Sequence, residues 1–401
     1  MKVLQINTTV NYGSTGRIAE NLGKYTIDQG GQSIIGYGRS GGLSKSNLIK
    51  IGSKVDQAVH LLYTRLFDTH GFHSNSATKN LINEIETINP DIIHLHNLHG
   101  YYLNVEILFS FLKKINKPVI WTLHDCWAFT GHCCYYERVG CEKWKTECHK
   151  CPLQFLYPES KWIDNSRNNF IAKKEIFNSV ENLTIVTVSK WLQSQVKQSF
   201  ISSYPITTIY NGIDTTVFKP KDQNLLKEKY LYFGKKIILG VANEWSEGKG
   251  LNTFIEISKL LANEEIIILI GLNDSQLKTL PSNIVGMGRT KNITELADYY
   301  AMSDVFVTPS VAETFGMVVA ESLSCGTPCV VNNSSALPEL IDETVGIVVA
   351  NNPVDYINAI NKILSKPKAD YAIATLEKAK QFDIQLHFEN YYNLYKQKIN
   401  S

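Results

Sequence analysis

Two glutamates, Glu313 and Glu321, bracket the run Glu-Thr-Phe-Gly-Met-Val-Val-Ala-Glu and are the residues best placed to do chemistry. The run begins in a loop after the strand-like Val305–Thr308. It then reads as a helix starting near Phe315-Gly316-Met317 and ending at Gly326, which suits a C-terminal cap. Backbone N–H groups of Phe315, Gly316 and Met317 at that start, backed by the helix dipole, form an anion site that fits a diphosphate. Glu313, in the loop just ahead, is placed to hydrogen-bond sugar hydroxyls. Glu321 is the only charge in an otherwise apolar stretch; it needs donors, and a ribose diol has two. The plainer alternative is a capping Glu313 and a solvated Glu321. The flanks, Pro309-Ser310 before and Cys325-Gly326-Thr327-Pro328 after, favour the binding reading.

Further groups gather at other strand ends. Lys249, in Glu244-Trp-Ser-Glu-Gly-Lys-Gly250, is a point cation suited to neutralising a diphosphate, or else an exposed loop lysine. Asn11-Tyr-Gly-Ser-Thr-Gly-Arg17 follows the first strand and opens a helix. It lacks the Lys-Ser/Thr of a P-loop and the third glycine of a dinucleotide fingerprint, which disfavours ATP and NAD. Gly13 and Gly16 would let backbone approach a phosphate or an acceptor, or simply make a tight turn. Arg17, in the first helical turn, has the reach for a phosphate. His124 ends the strand Val119–Leu123 and is either ligand-facing or fixed by Asp125. His94, His96 and His99 suggest a metal, yet His94 reads as packing and no carboxylate is suitably spaced.

Six of the eight cysteines fall between Cys126 and Cys151. Cys133, Cys141, Cys148 and Cys151, the last two in Cys-x2-Cys spacing, would complete a structural, all-cysteine zinc site. Buried free thiols, or one disulfide, fit as well. No Asp-x-Asp occurs, so no metal cofactor is expected to hold a diphosphate during catalysis.

These residues need a frame. With 401 residues, 44% hydrophobic and a net charge of +2, the chain reads as a soluble protein of two domains, without the basic face of a nucleic-acid binder. No apolar run is long enough to span a bilayer, and the start reads as a buried strand, so a cytoplasmic protein is expected, with peripheral contact to the inner membrane face open. Strand-like runs lie at Lys2–Asn7, Gln32–Gly36, Ile92–His96, Val119–Leu123 and Thr184–Val188, then at Lys236–Val241, Ile266–Ile270, Val305–Thr308 and Pro328–Asn332. Being apolar on both faces and separated by helical patterns, they predict parallel α/β sheets covered on each side. The join is placed near the Asn211-Gly212 turn. This gives domains of 1–208, joined by a closing helix at about 384–401, and of 209–383, with a cleft between them. Tyr101-Tyr102 and Phe109–Lys114 suit either membrane docking or a core helix.

With the glycine loop, Asn211-Gly-Ile-Asp214, Lys249-Gly250, the paired glutamates, Leu337-Pro338-Glu339 and a closing helix with Tyr391, Tyr392 and Tyr395, nearly the whole chain resembles glycosyltransferase family 4. Trp121–Gly131 and the cysteines after it look most like the bacterial exopolysaccharide branch related to colanic-acid synthesis. The resemblance implies the GT-B fold of two Rossmann-like domains facing a central cleft, and sugar transfer from a nucleotide-diphosphate sugar with retention, without a metal. It implies that Glu313 and His124 act at the donor sugar, with Gly13, Gly16, Lys249, Phe315, Gly316, Met317 and Glu321 around the donor. His96, Asn97 and His99 are read as acceptor-side, the acceptor being a saccharide, read as lipid-linked. Family members usually carry an arginine a few residues before the lysine, and Gly240–Trp245 has none. Competing readings are a catalytically silent relative and a zinc-stapled interaction module, the latter disfavoured by near-neutral charge and the intact glutamate segment.

Overall fold

A computed structural model describes residues 1–400 in two compact units. The first comprises Met1–Ile209 with the chain from Phe388 onward, the second Tyr210–His387.

In the first unit, seven strands form one parallel sheet: β1 (Lys2–Asn7), β2 (Gln32–Tyr37), β3 (Asn47–Lys50), β4 (Ile92–Leu95), β5 (Val119–Leu123), β6 (Leu183–Thr187) and β7 (Ile206–Thr208), in the order β3-β2-β1-β4-β5-β6-β7. Every residue of β4, β5 and β6 is buried, the mark of strands covered on both faces. The crossovers include helices α1 (Gly13–Asp28), α2 (Lys54–Phe67), α3 (Asn75–Ile88) and α4 (Val105–Ile115). Helix α4 shows how local chemistry sets these boundaries. The Asn104 side chain accepts the Ile107 N–H at 3.1 Å, Glu106 sits in the first turn, Lys113 and Lys114 in the last, and Asn116 closes it in the left-handed region. Phe109 is fully buried and Tyr102 nearly so, so this segment is core, and the docking reading of Phe109–Lys114 and Tyr101-Tyr102 falls.

The second unit holds six parallel strands: β8 (Lys236–Val241), β9 (Glu265–Ile270), β10 (Ile284–Met287), β11 (Val305–Thr308), β12 (Cys329–Asn332) and β13 (Gly346–Val349), in the order β10-β9-β8-β11-β12-β13. Its core joins Ile238, Phe254, Ile267, Leu269, Val305, Val330 and Tyr356. In each unit the strand order reverses beside one strand: between β1 and β4 in the first, between β8 and β11 in the second. Loops leaving the carboxyl ends there diverge and leave a crevice.

The Asn211-Gly212 turn expected at the join is not made. Gly212 has no left-handed φ. Instead a Cβ there would lie 2.7 Å from the Ile384 Cα, so the glycine is needed for close approach of the start of the last helix, Ile384–Asn400. Ser401, at the end of the predicted closing helix, lies outside the described residues.

Candidate active site

At the crevice of the second unit, the loop after β11 is held from two sides. Val311 N–H donates to the Gly248 carbonyl at 3.0 Å, while Glu313 N–H donates to Ser335 Oγ at 2.8 Å. Helix α5 (Met317–Ser324) starts behind Gly316, whose φ of +101° calls for glycine; an added Cβ would also crowd Leu337 Cδ2 at 3.0 Å. The first N–H groups of such a helix lack acceptors within it, so a diphosphate-sized anion finds donors there. Phe315 is buried against the rings of Tyr210 and Phe382, which fixes the helix start.

Lys249, on the turn after β8, forms an ion pair with Glu313; their side chains are 32% and 19% exposed. The structure thus joins two residues 64 positions apart that the sequence suggests separately. Glu321 Oε2 accepts the phenol proton of Tyr300 at 2.9 Å. Burial and the nearby Glu321 push that phenol well above its ordinary range, so Tyr300 stays a neutral donor. Glu321 therefore has a scaffold partner, which the apolar run around it does not reveal.

The first unit collects its polar groups differently. His94 is fully buried, bonded to Tyr395 Oη at 2.6 Å and Thr122 Oγ1 at 2.7 Å, and serves packing. Gln5 Nε2 donates to the Ala19 carbonyl, leaving its oxygen to accept from His96 Nε2–H at 3.0 Å. In a neutral ring His96 Nδ1 is then an acceptor and takes the proton of His124 Nε2 at 3.1 Å. A chain of hydrogen bonds thus fixes the His124 tautomer. Asp125 bonds His99 Nε2 at 2.6 Å and accepts the Trp127 N–H at 2.9 Å, with the His124 imidazole also acting on its charge. Burial alone would raise that carboxyl, but His99 and the Trp127 N–H outweigh it and hold Asp125 below the usual carboxylate range. His99 Nδ1 meets Tyr157 Oη at 2.9 Å, and Asn97, beside them, is partly exposed. Gln5, a polar residue inside an apolar strand, is the member of this network that the motifs do not include.

The glycine loop after β1 divides by role. Gly13 has φ +69° with open space where a Cβ would stand. Gly16 faces its own loop, where a Cβ would come within 2.6 Å of Thr9 Oγ1. Arg17 is exposed. Cys133, Cys141, Cys148 and Cys151 line one pocket. Among the described residues, however, the three ligand atoms that lie within 4.8 Å of one another belong to His99, Asp125 and Cys134. The four sulfurs stand wider than a filled site.

A family model described as Glycosyltransferase Family 4 matches residues 15–217. The chain belongs to glycosyltransferase family 4. A second model, Glycosyl transferases group 1, matches residues 235–366. The family is a retaining one that uses nucleotide sugars and generally works without a metal. WcaC of Escherichia coli (strain K12), a glycosyl transferase assigned to colanic acid biosynthesis, is 28% identical over 98% of this chain and 99% of its own length. Among solved structures, sucrose-phosphate synthase from Thermosynechococcus elongatus superposes with a TM-score of 0.73 at 15% identity, covering 98% of each chain. Anabaena HepE, in complex with UDP-glucose, gives 0.67 at 14%, covering 99% of this chain and 100% of its own. These likenesses establish the GT-B fold of the family 4 chain. Among the described residues no helix is long and apolar enough to cross a membrane.

Proposed function

We propose that this family 4 glycosyltransferase moves a hexose from a nucleotide-diphosphate sugar onto a lipid-linked saccharide during assembly of a bacterial surface polysaccharide. The observation that carries the donor half is the Lys249–Glu313 pair beside the start of α5. A donor diphosphate on those N–H groups competes for the Lys249 ammonium. As Lys249 turns to phosphate, the Glu313 carboxylate is released to accept hydrogen bonds from the sugar hydroxyls, so sugar positioning waits on diphosphate binding. Glu321, oriented by Tyr300, takes the ribose diol. Charge on the departing diphosphate is met by backbone dipoles and Lys249 without a divalent metal. Retention follows from same-face attack in which the departing phosphate takes the acceptor's proton, with His124 contacting the donor sugar and Glu313 positioning it.

The acceptor half rests on different ground. His96, Asn97 and His99 are read as its polar contacts. Exposed Val55, Val59, Leu62 and Phe67 make a stripe along α2, and the Arg65 carbonyl of that helix accepts the Lys161 N–H beside the exposed Trp162. An apolar face with an exposed tryptophan and basic residues suits the bilayer interface at which a lipid-linked acceptor is presented. The kinship with WcaC supports the polysaccharide context.

A panel of nucleotide sugars, scored for nucleotide-diphosphate release with and without lipid-linked saccharides, tests both halves. One donor should stand out, and its turnover should rise on adding the lipid-linked acceptor. Release from no donor would sink the transferase reading; equal rates with water-soluble saccharides would remove the lipid.

A further inference from the structure

The loop that follows β5 carries more organisation than a connection needs. Gly131 is packed so tightly that a Cβ would lie 2.1 Å from the Ser166 carbonyl oxygen and 2.8 Å from Cys148 Cβ. Its N–H donates to Cys148 Sγ at 3.2 Å. Between these cysteines, Lys150 takes a left-handed φ of +44°, which reverses the chain. The Lys143 ammonium pins that reversal through the carbonyls of His149 and Lys150, at 3.0 and 3.1 Å. Cys133, Cys141, Cys148 and Cys151 all line one pocket.

The same pocket leaves one polar donor orphaned. Trp144, on its wall, is buried, and its indole Nε1–H has no hydrogen-bond partner. A buried donor left unsatisfied is costly and calls for an acceptor. Neutral thiols are poor acceptors, whereas metal-bound thiolates are anionic and accept strongly, as the partners around metal ligands regularly show.

We propose that Cys133, Cys141, Cys148 and Cys151 hold one zinc ion as a closed tetrathiolate, with Trp144 donating to one of its sulfurs. The sulfurs are not at ligand spacing, and each turns on a single torsion with three staggered wells, so binding the ion requires them to rotate toward one another. Four sulfur donors leave no open position, which makes the ion a staple for this loop with no share in catalysis. The proposal stands apart from the donor and acceptor assignments above.

The native chain, expressed with zinc available and purified without chelator, should carry about one zinc per molecule by elemental analysis. Cobalt(II) exchanged into it should show sulfur-to-metal charge transfer and the ligand-field bands of a tetrahedral site. Cys148→Ser with Cys151→Ser should lose the metal, while Cys325→Ser, in the other unit, keeps it. Protein that is zinc-free as purified and takes up none under reducing conditions overturns the proposal. So does iron in place of zinc, or cobalt bound without thiolate charge transfer. The cobalt spectrum is recorded on native protein, so it decides the matter even if the double variant fails to fold.

Discussion

At the end of the first sheet the polar groups are locked into their own scaffold, whereas at the end of the second the charged groups hold chiefly each other. His96 and His124 sit in a buried chain that begins at the Ala19 carbonyl and passes through Gln5. Lys249 and Glu313 sit on turns, partly exposed, with an ion pair between them. The first arrangement spends stability to fix a tautomer before any ligand arrives. The second spends little, since partly exposed ion pairs contribute only about 0–1 kcal/mol, and stays free to exchange partners. Rigid imidazoles at one sheet and exchangeable charges at the other divide preorganisation from switching.

Three variants can break this contrast. The largest effect is expected from Glu313→Ala, which should lower kcat by about 10²–10³-fold or more, as for loss of a group acting on the reacting centre. The thermal midpoint should barely move; near-normal turnover would remove Glu313 from the site. His96→Ala should behave the other way. It leaves Gln5 Oε1 and His124 Nε2 without their partner, at about 1–3 kcal/mol each, so denaturant unfolding should show a clear stability loss together with a fall in kcat. Unchanged stability would mean that the chain is not holding His124. Tyr300→Phe is the mildest. Losing one hydrogen bond to a carboxylate, about 1.5–3 kcal/mol at most, it should weaken nucleotide binding by up to roughly a hundredfold in calorimetry while sparing kcat at saturating donor. A drop in kcat with unchanged affinity would place Glu321 nearer the chemistry than the ribose.

What is legible in the sequence follows burial. The strands that its patterns predict are all interior strands, apolar on both faces. β3, β7, β10 and β13, which those patterns miss, are the edge strands of the two sheets, short and largely half-exposed. An edge strand has one neighbour and a wet flank, so its residues lack the continuous apolar signal. The same logic divides the site. Glu313, Gly316 and Glu321 belong to one local run, and spacing alone suggests their grouping. The Lys249–Glu313 pair, the Tyr300 partner of Glu321 and the choice of His99 by Asp125 arise from crossovers that bring distant segments together, and no local pattern encodes them. Asn211-Gly212 marks the limit of turn signals, for there the glycine answers to a distant helix that begins at Ile384.

The closing helix sets an order of events during synthesis. Its Tyr395 and Tyr391 hydroxyls bond His94 and Thr122, partners 301 and 269 residues earlier in the chain. At roughly 5–20 residues per second, a ribosome needs on the order of 15–55 s to travel from Thr122 to Tyr391. Throughout that interval the buried histidine and threonine of the first sheet lack the phenols that pair with them. The whole second unit is made in the meantime, so the domain begun first is finished last.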